Sequence, residues 1–185
     1  MTLISAIVIE DHVDVKNAYK QYLAAKGNMN EREHWANYLL WELTRHCVAE
    51  ELILYPAFEK YMGSAGKKMA DEDRADHHEL KNLLHMLVSS SVADSHYPST
   101  FEKAMSNLFE HIQSEEENDL PKFEQSITPK ISAELAKKFE LTKMMVPTQP
   151  HSDQQHKLPF KTVDEFMGAS HEKLQELIDQ YSNIN

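Results

Sequence analysis

The sequence predicts an all-α protein, an up-down-up-down four-helix bundle followed by a C-terminal helical extension. Apolar residues recur every three or four positions through four long segments, which is the spacing of one face of an α-helix. The 185 residues include only 4 glycines, and β-branched residues form few, short clusters, so helix is favoured over strand. Each apolar stripe also contains a histidine, and these histidines recur at near-equal intervals.

Length and charge limit the class of protein. The chain is long enough to bury a good core, and we expect a bundle over residues 1–127 and an extension over residues 128–185. A net charge of −11 argues against a nucleic-acid partner. Cys47 is the only cysteine, which excludes an intramolecular disulfide and favours a reducing compartment. No signal-peptide pattern or membrane-length apolar run occurs, so we expect an intracellular, cytoplasmic protein with no membrane partner.

The first two helices are predicted from their stripes and end signals. The first runs from about Leu3 to Ala25 and ends at Gly27, a residue that favours the left-handed end of a helix. The second is predicted to start near Asn30, an acceptable N-cap, and to end at the Gly-Ser-Ala-Gly run of residues 63–66. The polar residues within these two stripes are His12, His46 and Glu50.

The next two helices follow the same pattern. The third, about Lys67–Ser90, is less regular because Arg74 interrupts its stripe. A loop continues through Pro98, and Ser99-Thr100-Phe101-Glu102 then has the spacing of a capping box, which predicts that the fourth helix begins there. The polar residues within these two stripes are His77, His111 and Glu115.

The extension contains three predicted parts. Thr128-Pro129 is an N-cap with proline at the first helical position, and a short helix should follow from Ile131 to about Met145. Pro147–Pro159 has no periodicity and is predicted to be a loop or extended strap. A capping box at Thr162-Val163-Asp164-Glu165 begins a last amphipathic helix, which we expect to dock on its own domain.

Two His-x3-Glu pairs carry the functional prediction. His46–Glu50 and His111–Glu115 each place an imidazole and a carboxylate one turn apart on one helical face. Because the flanking apolar residues share that face, both groups point into an apolar seam. Buried imidazoles and carboxylates are costly unless something neutralises them, and a metal ion does so directly.

The intervals between the four histidines place them at one height. His12 to His46 is 34 residues, His46 to His77 is 31, and His77 to His111 is 34. In an antiparallel bundle each such interval covers half a helix, a loop and half the next helix, so the side chains form one layer that can bind metal. The predicted metal ligands are therefore His12, His46, Glu50, His77, His111 and Glu115.

Each residue also has a simpler interpretation. His12 alone is better explained as a core histidine, and each His-x3-Glu pair alone is explained equally well as a surface ion pair or as metal ligands. His77 is preferred over the adjacent His78 because of its interval. Cys47 is expected to turn away from the His46 face and pack as a small hydrophobe. Glu51 and Glu116 are expected to be solvated or to support the ligands. Tyr19 could border the site, but packing in the core is favoured.

These motifs together resemble the hemerythrin-like, or HHE cation-binding, family. The resemblance covers roughly Ile4–Phe123, through Asp11-His12, His46-x3-Glu50-Glu51 with Leu54-Tyr55-Pro56, Asp76-His77 to Lys81, and His111-x3-Glu115-Glu116. It implies a non-haem di-iron centre, with manganese or zinc as alternative metals. By family analogy Glu50 and Glu115 would bridge the two irons. His12 and His46 would complete one iron's ligands, and His77 and His111 the other's.

Lys81 marks a departure from the oxygen-carrying hemerythrins. They have a second histidine four residues after the third-helix ligand, where this chain has Lys81, and a longer, Asp-ended spacing on the fourth helix. Both differences follow the HHE pattern and argue against reversible oxygen transport.

The predicted function is binding of, or reaction with, a small oxidant (oxygen, peroxide or nitric oxide) at the metal centre, in sensing, scavenging or iron handling. A second hypothesis is a metal-stabilised regulatory or interaction module without turnover. A third is an oxidase or peroxidase of an organic substrate, for which the sequence offers no dedicated substrate residues.

Overall fold

A computed structural model describes residues 1–145 together with 169, 170, 172, 173, 176 and 177. Within these residues the regular structure is helical and includes no strand, which confirms the all-α prediction. The helices are α1 (Ile4–Ala24), α2 (Met29–Ala49), α3 (Tyr55–Val88), α4 (Tyr97–Ser114), α5 (Leu120–Ser126) and α6 (Pro129–Lys143). Two π-helical turns, Glu50–Leu54 and Glu115–Asp119, join α2 to α3 and α4 to α5 without a break.

The four-helix bundle arises because α3 turns a corner at Gly63. There φ is 60° and ψ is −132°, a conformation that glycine adopts readily and other residues do not. We call each of the four long helical segments of the bundle a rod. The start of α3 continues α2 as the second rod, and residues 64–88 form the third. At Gly66 a Cβ atom would lie 1.9 Å from the Phe58 carbonyl oxygen, so only glycine permits this close crossing. The predicted stop at residues 63–66 is confirmed.

The residues predicted to cap α2 and α4 were wrong, although α2 begins at Met29, near the expected Asn30. The α2 helix is capped by Asn28 rather than Asn30, since the Asn28 side chain accepts a hydrogen bond from the Glu31 N–H at 3.3 Å. The α4 helix begins at Tyr97, before the expected capping box, and the Ser99 hydroxyl donates back to the His96 carbonyl oxygen at 2.9 Å. Proline in the first turn of α4 allows this earlier start, because a missing N–H costs nothing there.

The core consists of two apolar clusters, one on each side of the polar layer. Along α1, Val8 belongs to one cluster and Val15 to the other, with His12 between them. Along α3, Ala70 and Leu80 similarly lie on either side of His77. The ligand layer therefore lies at the junction of two packed regions.

The first part of the extension packs against the bundle. The predicted cap of α6 is confirmed, since the Thr128 hydroxyl accepts from the Ile131 N–H at 3.3 Å. The helix packs against α1 and α2, and the ring of Phe139 lies 6.1 Å from that of His46. The division of the chain at residue 128 stays a prediction. The strap at residues 147–159 and most of the last helix lie outside the described residues. Among those that are described, no helix is long and apolar enough to cross a membrane.

Candidate metal centre

All six predicted ligands meet in the middle of the bundle. They are contributed by α1, α2, α3, α4 and the two π turns, and each is between 0% and 4% exposed. His78, the alternative to His77, is exposed. The sequence therefore predicted correctly which residues of the four rods lie together at this level of the bundle.

One half of the centre is formed by His12 and His46. Their Nε2 atoms lie 3.2 Å apart, and Glu50 Oε1 lies 3.1 Å from the Nε2 atom of His46. One ligand atom of each of these three residues lies within 4.8 Å of the others. A single cation could contact all three.

The two carboxylates also reach the other half. Glu50 Oε2 lies 3.3 Å from His77 Nε2, so the two oxygens of Glu50 face histidines of different rods. Glu115 Oε2 lies 3.4 Å from His12 Nε2, and Glu115 also groups with Glu50 and His111 within 4.8 Å. Both carboxylates thus contact histidines of both halves, which is the position a bridging carboxylate needs.

The π turns position these carboxylates. Each begins at a ligand glutamate: the Tyr55 N–H bonds to the Glu50 carbonyl oxygen, and the Leu120 N–H to that of Glu115. Such turns insert one extra residue into a helix and are frequent at functional sites. Proline follows each glutamate by six residues, at Pro56 and Pro121. Because proline lacks an N–H and clashes with the preceding turn, it favours the looser hydrogen bonding seen just before it.

The unpaired atoms of the layer fit a cation. Among the described residues, both oxygens of Glu50 and of Glu115 and both ring nitrogens of His111 are buried without a hydrogen-bond partner. An unsatisfied buried polar group costs about 1–3 kcal/mol. Imidazole and carboxylate donors suit first-row metals, and carboxylates can be shared between two ions. The residues therefore fit bound metal ions.

A carboxylate lies beside the outer nitrogen of every ligand histidine. Such partners fix the ring so that its other nitrogen points at the metal. Glu51 and Glu116 occupy this supporting position, one of the two alternatives predicted for them, whereas no such role was predicted for Asp11 or Asp76. The Nδ1 distances are 2.9 Å for His12 to Glu116, 3.2 Å for His46 to Asp11, 3.2 Å for His77 to Glu51 and 3.6 Å for His111 to Asp76.

Three of these carboxylates each pair with a different lysine. Lys16 lies 3.0 Å from Glu116, Lys81 lies 2.6 Å from both oxygens of Glu51, and Lys143 contacts Asp11. Lys81 therefore turns its ammonium toward a supporting carboxylate, as expected of a residue that is not a ligand. Lys143 belongs to α6, so the extension reaches the support of a ligand histidine.

We expect Lys143→Met to lower the free energy of unfolding by about 1–3 kcal/mol. Lys143 is 12% exposed and also lies 2.7 Å from Glu42. Its loss therefore removes a positive charge that neutralises two buried carboxylates, those of Asp11 and Glu42. Urea denaturation measures the change. Lys138→Met, at an exposed position of the same helix, should have little effect, and Lys143→Arg should restore most of the stability. Equal stabilities of the two methionine variants would contradict the prediction.

The charges of the ligands compensate one another before metal binds. Burial alone would lower the pKa of His46, but the carboxylates of Glu50 and Asp11 raise it well above its usual value. Burial alone would raise the pKa of Glu50, but His46 and His77 hold it well below its usual value. Metal binding must therefore displace protons from imidazoles, so metal affinity should fall at acidic pH.

Asp73 should make the metal-free protein less stable as pH rises. Burial, with Glu115 and Asp119 adding to it, raises the pKa of Asp73 from 3.8 to about 8. Between these values the folded state holds a proton that the unfolded chain has lost. The free energy of unfolding therefore falls with rising pH, by about 1.4 kcal/mol per pH unit within the window.

We expect Asp73→Asn to flatten this decline and to stabilise the metal-free protein at pH 8, measured by urea denaturation at several pH values. Asp76→Asn is the matched control, because the neighbouring imidazole of His111 lowers the pKa of Asp76. Its contribution has the opposite sign: it is present above the unfolded pKa and lost as pH falls. An unchanged pH profile in Asp73→Asn would contradict the assignment.

Two residues of the site were missed or misplaced from sequence. The buried hydroxyl of Tyr55 lies 3.0 Å from His77 Nε2 and can donate a hydrogen bond to it. Cys47 was expected to turn away from the site, which was wrong: its sulfur groups with Glu50 and His77 within 4.8 Å. The signal was present, since Cys47 precedes Glu50 by three residues and so shares its face. Tyr19 packs against the core, as favoured, and stacks on Tyr22 and Phe101.

A layer of four imidazoles and two shared carboxylates inside a four-helix bundle defines a metal-binding bundle protein. The family model of the hemerythrin HHE cation binding domain matches residues 3–123. The chain belongs to that family, which confirms the resemblance noted from the motifs.

Two similar proteins agree with this assignment. An uncharacterised hemerythrin-like protein of Schizosaccharomyces pombe is 35% identical over 181 residues, which are 98% of this chain and 89% of the relative. A crystal structure of a hemerythrin HHE cation-binding domain-containing protein from Mycobacterium kansasii has a TM-score of 0.66 at 23% identity, covering 78% of this chain and 89% of that one. The latter supports the bundle fold.

Proposed function

We propose that this protein holds two metal ions, iron foremost with manganese or zinc as alternatives, and that the centre binds or reacts with a small oxidant such as oxygen, peroxide or nitric oxide. The observation that carries the proposal is Glu50, whose two buried, unpartnered oxygens face His46 on one side and His77 on the other. A carboxylate in this position is complementary to a pair of cations.

The ligands divide between two ions. His12 and His46 would hold one and His77 and His111 the other, with Glu50 and Glu115 shared. The supporting carboxylates keep each Nε2 atom directed inward, so little reorganisation accompanies binding. Bound iron would supply the electrons that reduce an oxidant.

Tyr55 provides a proton donor beside this site. Burial, together with the carboxylates of Glu50 and Glu115, raises the pKa of Tyr55 well above its usual value, so the hydroxyl stays protonated. Its oxygen lies 3.0 Å from the Nε2 atom of His77, within hydrogen-bond reach of whatever occupies that side of the centre. The ligands are at most 4% exposed, which favours small reactants over bulky organic substrates.

Elemental analysis of protein purified without added metal tests the proposal. We expect two iron ions per chain. The reduced protein, prepared without oxygen, is then exposed separately to oxygen, peroxide and nitric oxide, and its absorption spectrum is followed. Turnover would indicate an enzyme and stable binding a sensor, whereas a single ion in a closed tetrahedral shell would contradict the dinuclear centre.

Lys81 should make oxygen binding irreversible. It occupies the position one turn beyond His77, and its ammonium is held by Glu51 rather than directed at a metal. With one imidazole fewer than in the oxygen carriers, the reduced protein should oxidise in air. We expect Lys81→His to undergo more cycles of spectral change between air and argon than the unaltered protein.

Lys16→His is the matched control, because Lys16 lies one turn beyond His12 and pairs with Glu116 in the same way. It adds an imidazole to the other half and should not improve reversibility. Repeated cycling of the unaltered protein would disprove the argument from Lys81.

A metal-stabilised regulatory module is the second candidate, and one contact favours it. Lys143 of α6 binds Asp11, whose other oxygen lies 3.2 Å from His46 Nδ1. Metal occupancy could thereby affect how the extension packs. If so, chelation should increase proteolysis of the extension without any reaction with oxidants.

A further inference from the structure

We propose that Cys47 is a further protein ligand, a thiolate that binds the ion held by His77 and Glu50. The inference rests on the metal centre proposed above and adds a donor of a different chemical class. It makes the two metal positions chemically unequal, with only nitrogen and oxygen donors in the His12 half and sulfur in the His77 half.

The position of the sulfur supports this role. Cys47 is 1% exposed, and its Sγ atom, a ring nitrogen of His77 and a carboxylate oxygen of Glu50 all lie within 4.8 Å of one another. This grouping is comparable to that of His12, His46 and Glu50 in the other half. One cation placed among the three atoms could contact each of them after small side-chain adjustments.

Glu50 is an independent sign that a cation belongs there. It is fully buried, and neither of its oxygens has a hydrogen-bond partner among the described residues. One of them, Oε2, lies on the His77 side, at 3.3 Å from Nε2. A packed cysteine needs no such carboxylate beside it, whereas a metal ion does.

Few other side chains compete with Cys47 as a ligand on the His77 side. Lys81, one turn beyond His77, directs its ammonium to Glu51 and supplies no ligand nitrogen. The competing donor is Tyr55, whose hydroxyl lies on the same side, 3.0 Å from His77 Nε2. A neutral phenol binds metals more weakly than a thiolate, so Cys47 is the stronger donor on this side.

The binding step is a proton exchange. The S–H bond of Cys47 breaks, a sulfur–metal bond forms, and the proton leaves to solvent, so the metal keeps its oxidation state. A thiolate is a soft ligand and favours zinc, iron and copper(I) over magnesium or manganese. The His77 half should therefore select these metals more strongly than the His12 half.

Cobalt(II) reports on the bond directly. The full-length protein is stripped of metal, reloaded with cobalt(II) without oxygen, and its near-ultraviolet spectrum recorded together with the bound cobalt. A cobalt–thiolate bond gives an intense charge-transfer band that nitrogen and oxygen ligands do not. Because Cys47 is the only cysteine, no other residue can supply a thiolate.

We expect this band in the unaltered protein, its complete loss in Cys47→Ser and Cys47→Ala, and its retention in Tyr55→Phe. X-ray absorption of the unaltered, zinc-loaded protein gives a second measurement that needs no variant: a sulfur neighbour should lie at about 2.3 Å from zinc. This measurement remains decisive if the cysteine variants fold poorly.

The outcomes separate the two proposals. Binding of two ions with no thiolate band and no sulfur neighbour overturns the assignment of Cys47 and leaves the metal centre intact. If no sulfur neighbour is found, and bound cobalt falls in Tyr55→Phe but not in Cys47→Ala, the position belongs to Tyr55 instead of Cys47. Failure of the unaltered protein to bind any of these metals overturns the centre and this proposal with it.

Discussion

Replacing Glu50 with glutamine is expected to release both metal ions. The side chain keeps its size but loses the negative charge, and its two oxygens face His46 and His77 at 3.1 Å and 3.3 Å. An amide offers one oxygen, which cannot serve two ions. Iron content after gel filtration is expected to fall from two ions per chain to fewer than one.

Two further glutamates give a graded comparison. Glu51→Gln removes no proposed ligand but alters the support of His77 and the ion pair with Lys81. Removing such a supporting partner weakens metal binding about 10–100-fold, so loss should appear only in competition with a chelator. Glu117→Gln changes an exposed glutamate beside the second ligand pair and should retain both ions. If Glu50→Gln retained as much metal as Glu117→Gln, the shared-carboxylate assignment would be wrong.

Removing the metal should lower the melting temperature markedly. Without it, Glu50, Glu115 and His111 remain buried with atoms that lack partners, at about 1–3 kcal/mol for each group. For a chain of this size each kcal/mol corresponds to about 2–4 °C, so a decrease on the order of 10 °C is expected. Differential scanning calorimetry of metal-loaded and chelated protein in one buffer measures it.

The Glu50→Gln variant serves as the control for this experiment. Since it should bind little metal, its melting temperature should respond little to the chelator. Equal melting temperatures of loaded and chelated unaltered protein would mean that the six side chains are satisfied by solvent or by one another.

The periodicity of the sequence was enough to predict the ligand layer. Residues three or four apart share a helical face whatever surrounds the helix, so His46 with Glu50 and His111 with Glu115 could be paired from their spacing alone. The near-equal intervals then gave the common height, because helix length is proportional to residue number.

Helix ends and local distortions were predicted less well. Asn28 and Asn30 are both acceptable caps, so residue type alone does not choose between them, and the structure uses Asn28. The π turns escaped prediction although Pro56 and Pro121 follow the two glutamates at the same distance. Each turn depends on a balance between proline's local effect and the ligand layer, which acts across the bundle.

The sequence by itself determined the four helices and the six residues that share their buried faces, because these follow from contacts within one or two turns. The tertiary structure decided what surrounds those residues. His12 and Glu116 are 104 positions apart, and Lys143 and Asp11 are 132 apart. Such contacts, like the approach of Cys47 to His77, depend on how each rod is rotated about its axis and where α6 docks. Those rotations are set by packing between helices, which local periodicity does not specify.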